Sequence, residues 1–178
     1  MEEKMWLEQL TGHSQLQKVM DMNQKTEKFG LMLTQEEARM LVERRKESLR
    51  TERRVEFGEG ILPKLIFHFC DSSYIDQSNY ADTIARLQEI FYLYKNEMLD
   101  EISDDELIQF MKEQYEEICF GDLEYLEGTC LESFAQAIRA GYRGYKKTEG
   151  WGEYHQFDAV ARWDYQLYLD VLNELCGR

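Results

Sequence analysis

One proline, Pro63, stands in a chain of 178 residues. Because proline breaks helix interiors, its scarcity leaves helix available along nearly the whole length. Long apolar runs are lacking as well. No window offers the roughly 18 uncharged apolar residues of a membrane span. The opening "MEEKMWLEQL" carries acids where a secretory signal needs basic residues, so none is expected. The four cysteines, Cys70, Cys119, Cys130 and Cys176, form no Cys-x-x-Cys pair. That spacing argues against a zinc quartet and for buried free thiols, in keeping with a reducing cytoplasm. Positive charge is also in deficit, with 21 basic residues against 35 acidic ones and a net charge of −14. Such a balance keeps a protein soluble and repels nucleic acid and anionic membrane surfaces. A basic partner, or none, is the easier reading of that balance.

What is present is helical in period. With 43% hydrophobic residues, the chain has material for a core that needs neither disulfide nor metal. Residues 1–33 read as one or two short helices interrupted near Gly12, with Leu16, Val19, Met20 and Asn23 on one stripe, followed by the apolar connection "FGLML". Thr34 and Glu37 form a capping box that opens the next helix, whose inner face carries Ala38, Leu41, Val42, Arg45 and Leu49. The spacing of Tyr80, Ile84, Leu87, Phe91, Tyr94 and Met98 predicts a long central helix over about 78–99. Ser103 with Glu106, and Thr129 with Glu132, read as two further capping boxes, and Gly121 and Gly141 as stops. Residues 142–156 break the rhythm and read as an aromatic, glycine-rich linker to a last helix over 157–178. The expectation is an all-α fold of six to eight helices round the 78–99 helix. Residues 1–33 would form an N-terminal segment and 34–141 the core of one domain.

The stretch "RRVEFGEGILPKLIFHFCD" concentrates unusual residues: the one proline, two glycines, a histidine and a cysteine. Gly58 and Gly60 permit a backbone turn, and Pro63 suits the first turn of a new helix carrying Leu62, Leu65, Ile66 and Phe69 inward. A phosphate loop would need another glycine and a lysine, and Glu59 places a like charge there. His68 and Cys70, two apart on a helix, point away from each other and share no ligand. The stretch therefore reads as a corner.

"VEFGEGILPKLIFHFCD" and "ISDDELIQFM", together with "GDLEYLEGTCLE", resemble a family of small bacterial proteins of unknown function, mainly from anaerobic Gram-positive organisms. The resemblance spans roughly residues 30–140. It implies a helical cytoplasmic protein and brings no catalytic residue with it.

Charge is segregated along the chain. Arg39 to Arg54 holds seven basic residues against three acids, whereas Glu97 to Glu132 holds thirteen acids and one lysine, Lys112. Opposite patches on one chain could face each other or bind the reciprocal patch of a second copy in a two-fold dimer. The candidate contact residues are Arg44, Arg45 and Arg50 of the basic helix, with Tyr142, Arg143, Tyr145 and Trp151 of the linker. No catalytic, cofactor-binding or metal-binding residue emerges. There is no Glu-x-x-His, no His-Asp and no Gly-x-Ser-x-Gly, and only three histidines are available as bases. The pattern favours a non-enzymatic interaction or regulatory protein. The alternative is a metal-dependent hydrolase, with nucleotides as a candidate substrate class, that gathers carboxylates from 97–132; it requires three of them to converge.

Overall fold

The computed structural model describes residues 2–141, Glu59 apart, and these are helical with no strand among them. The linker over 142–156, the helix expected over 157–178 and Cys176 lie outside the described residues. The chain divides into two compact units, Met1–Tyr92 and Leu93–Arg178.

The first unit opens with α1 (Glu2–Asp21), α2 (Asn23–Thr26) and a 3-10 turn (Glu27–Phe29). The interruption expected at Gly12 is not found: α1 runs straight through it. A glycine inside a helix costs only about 1 kcal/mol, and α1 packs against the neighbouring helices α3 (Gln35–Thr51) and α4 (Leu62–Phe69). The "FGLML" connection is held by two amide side chains. Asn23 brackets Leu33 with bonds of 2.9 and 2.8 Å, and Gln77 brackets Met32 with two of 2.7 Å. Leu31 and Leu33 are thereby buried while Met32 faces out.

The Thr34–Glu37 capping box forms in full and starts α3. Its inner face carries Ala38, Leu41, Val42, Arg45 and Ser48. The corner that follows uses left-handed backbone at Gly58 (φ 70°) and Gly60 (φ 71°). Pro63 lies in the first turn of α4, where a missing amide hydrogen costs nothing. Leu62, Leu65, Ile66 and Phe69 point inward as their spacing requires. α5 (Tyr80–Glu97) is the helix expected over 78–99, and Tyr80, Ile84, Leu87, Phe91, Tyr94 and Met98 are all buried.

The second unit begins in the last turns of α5. Leu99 and Asp100 adopt left-handed backbone and lead to α6 (Asp104–Glu117), which the Ser103–Glu106 capping box opens. Buried Lys95 staples this turn: its Nζ donates to the Ile102 carbonyl at 2.6 Å and meets Asp104 at 3.0 Å. Phe120 and Gly121 reverse the chain in left-handed conformations, and the Gly121 amide closes on Tyr115 O at 3.0 Å. Asp122 then caps α7 (Leu123–Tyr125), which continues through a π-helical segment (Leu126–Leu131) into α8 (Glu132–Arg139).

The capping box expected at Thr129 and Glu132 does not form. Thr129 lies inside the π segment, and α8 starts without a side-chain cap. The reason is physical: the chain is already helical upstream, so α8 presents no orphan amides for Thr129 to satisfy. Phe110 stacks on Phe134 with ring centroids 3.8 Å apart, and Arg139 ties α8 to Glu97 at 2.8 Å.

Candidate functional site

The basic helix α3 keeps few of its cations for outside use. Arg45 is buried, and its Nε and Nη2 both lie 2.6 Å from Glu56 Oε1. Tyr92 donates to the other oxygen of Glu56 at 2.7 Å. Burial pushes the Tyr92 phenol far up, and the neighbouring Glu56 carboxylate adds to the shift. The corner glycine exists for this triad. A Cβ on Gly60 would lie 1.9 Å from Glu56 Oε1 and 2.9 Å from Arg45 Nη2. Arg44 is half-buried and bonded to Glu89 at 2.9 Å, and Arg50 is exposed and paired with Glu47 one turn back. Tyr142, Arg143, Tyr145 and Trp151 lie outside the described residues.

The acids of 97–132 are similarly engaged. Asp104 takes Lys95, Glu106 completes the Ser103 box, Glu113 accepts from Gln109, and Glu116 takes Lys112. Asp122 caps α7, and Glu132 accepts from Gln136. Burial pushes the Glu113 carboxyl up. Among the described residues, no three His, Cys, Asp or Glu side chains group as a metal ion would require. The convergence that a metal-assisted hydrolase needs is therefore not found among them.

A different feature stands out in the first unit. α2 packs against α4, and the two helices, with the turns that follow each, enclose an open cleft of about 500 Å³. That is within the usual size of ligand sites. Lys25, Lys28 and Phe29 line one side, and Phe67, His68 and Asp71 the other. Local folding places them. On α4 the inward positions belong to Leu65, Ile66 and Phe69, so the intervening Phe67 is forced outward and is 56% exposed. Phe29 ends the 3-10 turn and is 43% exposed.

The Lys25 ammonium sits 5.7 Å from the Phe67 ring centre, and the Lys28 ammonium 5.0 Å from that of Phe29. Neither lysine makes an ion pair among the described residues. His68 meets Phe67 edge to face with ring centres 5.5 Å apart. The arrangement offers apolar faces beside two positive charges, suited to a group that is both flat or apolar and anionic. The sequence reads this region as a corner in which His68 and Cys70 share no ligand, and that reading passes over Lys25, Lys28, Phe29 and Phe67. The available signal was Phe67, an aromatic residue on the outward face of a helix whose inner face was already complete.

Comparison with curated proteins gave no match, and neither did comparison with solved structures. One family model does match, over residues 18–144, and that span includes the glycine-bearing corner, the "ISDDELIQFM" run and the cleft. The chain belongs to that family, DUF6323, a family of unknown function.

Proposed function

We propose that this protein works by binding, not by catalysis, and that the α2–α4 cleft receives an acidic segment of a partner protein carrying an aromatic side chain. The observation that carries the reading is the pairing of two exposed phenylalanines with two lysines that make no ion pair among the described residues, in a chain of net charge −14. Aromatic residues, phenylalanine included, are enriched at protein interfaces, and cations beside them select a partner of opposite charge. The ring would stack against Phe29 or Phe67 and its flanking carboxylates would meet Lys25 and Lys28. We place this activity in the bacterial cytoplasm. The support is that Cys70, Cys119 and Cys130 are free thiols, and that no described helix is long and apolar enough to cross a membrane.

The test is an NMR titration of the isotope-labelled full chain with a short peptide of glutamates flanking one phenylalanine. The expected result is amide shifts concentrated over residues 24–29 and 67–71, abolished by Phe67→Ala and weakened by salt, as screening requires. Shifts scattered over the surface, or unchanged in the Phe67→Ala variant, would contradict the reading. Light scattering on the same samples separates capture of the peptide from association of the chain with itself.

A further inference from the structure

The second unit brings two thiols together. Cys119 follows the end of α6, and Cys130 lies within the π segment. Eleven residues apart in the chain, their sulfurs stand 3.6 Å from each other, and both side chains are buried and free. The reversal at Phe120 and Gly121 returns the chain so that the two sulfurs meet. Cys70, by contrast, is buried with its thiol directed at the Phe67 carbonyl, 3.2 Å away.

We infer that Cys119 and Cys130 form an oxidative modification site, a dithiol that a hydroperoxide converts into an internal disulfide joining the end of α6 to the π segment. The separation is close to the 3–3.5 Å at which reacting atoms are poised, and a bond of about 2.05 Å needs only a modest approach of the sulfurs. The hydrogen bond between the thiols divides their roles. It favours loss of the proton from Cys130, against the effect of burial, and holds the proton on Cys119, so Cys130 is the sulfur that reacts first. The thiolate is the nucleophile.

Cys130 sulfur attacks one peroxide oxygen, the O–O bond breaks, and the departing hydroxide or alkoxide leaves protonated, giving a sulfenic acid on Cys130. Cys119 sulfur then attacks that sulfur, the S–S bond forms, and the S–O bond breaks with loss of water. Two thiols give up two protons and two electrons, and the peroxide takes them. Both sulfurs are shielded from solvent, so the reaction is slow in the closed fold and follows opening of the π segment.

The test uses the reduced full-length chain, treated with hydrogen peroxide until the exposed Met32 is oxidised, then blocked and mapped by mass spectrometry without reductant. Met32 is 44% exposed and serves as an internal marker of dose. The expected product is one Cys119–Cys130 linked peptide pair lacking two hydrogens and restored by dithiothreitol. In Cys119→Ser, or in Cys119→Ala should the serine not fold, Cys130 proceeds to sulfinic acid instead. Recovery of both residues as free thiols at that dose would overturn the inference. So would a folded chain whose first linked pair contains Cys70 or Cys176.

Discussion

The first unit and the described part of the second treat charge in opposite ways. Residues 1–92 hold thirteen basic and sixteen acidic residues; residues 93–141 hold three basic and thirteen acidic. In the second stretch every cation is committed internally: Lys95 to Asp104, Lys112 to Glu116 and Arg139 to Glu97. In the first, the near balance leaves Lys25 and Lys28 without ion pairs among the described residues, and those two line the cleft. The comparison shows why a net charge of −14 is a poor guide to binding. The total hides a first unit with two lysines outside any ion pair among the described residues and a stretch, 93–141, whose three cations are all paired internally.

The buried ionic groups differ too. The first unit sets Arg45 against Glu56 and Tyr92, charge against charge. The second gives Lys95 a backbone carbonyl as its nearest partner and only half-exposed carboxylates. Alkaline pH should act on both units and most severely. Burial raises the phenols of Tyr80, to about 12, and of Tyr92 and Tyr94 further still. An unfolded tyrosine releases its proton near 10, so above that pH the native chain holds protons that the unfolded chain has lost. The stability this provides is complete below about pH 10 and falls as pH rises from there toward the folded values. Circular dichroism and tyrosinate absorbance should therefore change together. Phenolate signal from all the tyrosines with helix intact would refute the burial of these three.

Glu56→Ala comes next. Removing one member of a buried pair leaves the other charge uncompensated, at a cost of about 3–5 kcal/mol in denaturant unfolding. Gly60→Ala should follow at about 1–3 kcal/mol, since it forces left-handed backbone on a residue whose Cβ meets the locked Glu56 carboxyl. In the second unit Lys95→Met should cost less than Glu56→Ala, about 1–3 kcal/mol, because a carbonyl loses its donor but the Asp104 carboxylate left without its partner is half-exposed to water. If the two units lost equal stability from Glu56→Ala and Lys95→Met, the contrast between them would not hold.

The smallest effects concern helix starts. Thr34→Ala and Ser103→Ala should each cost about 1 kcal/mol, one in each unit. Thr129→Ala should stay within about 0.5 kcal/mol, because no cap is lost. A Thr129 loss equal to that of Ser103 would restore the capping box that the sequence suggests and the structure replaces with a π segment.

These helix starts show how much of the fold could be read in advance. Thr34–Glu37 and Ser103–Glu106 are local patterns whose partners lie three residues away, and both formed as expected. Thr129–Glu132 has the same pattern, but whether a helix already runs upstream is decided by packing, which no four-residue window contains. Gly12 failed for the same reason, since its local cost is overridden by contacts made elsewhere along α1. The corner was legible because Gly58, Gly60 and Pro63 act through their own backbones. Its purpose was not, because Glu56 meets Arg45 and Tyr92 across 11 and 36 residues of chain, beyond any local pattern. The cleft was hidden likewise: Lys25 and Phe67 are 42 residues apart in the chain and become neighbours only when α2 packs on α4.

The most direct test exchanges the sign of the cleft. The double variant Lys25→Glu, Lys28→Glu keeps both phenylalanines and changes only the charge beside them. Titrated against two peptides, one with glutamates and one with lysines flanking a phenylalanine, the native chain should bind the acidic peptide and the variant should prefer the basic one, both through residues 24–29 and 67–71. An unchanged preference for the acidic peptide after the exchange would contradict the claim that this cleft is where the protein recognises its partner.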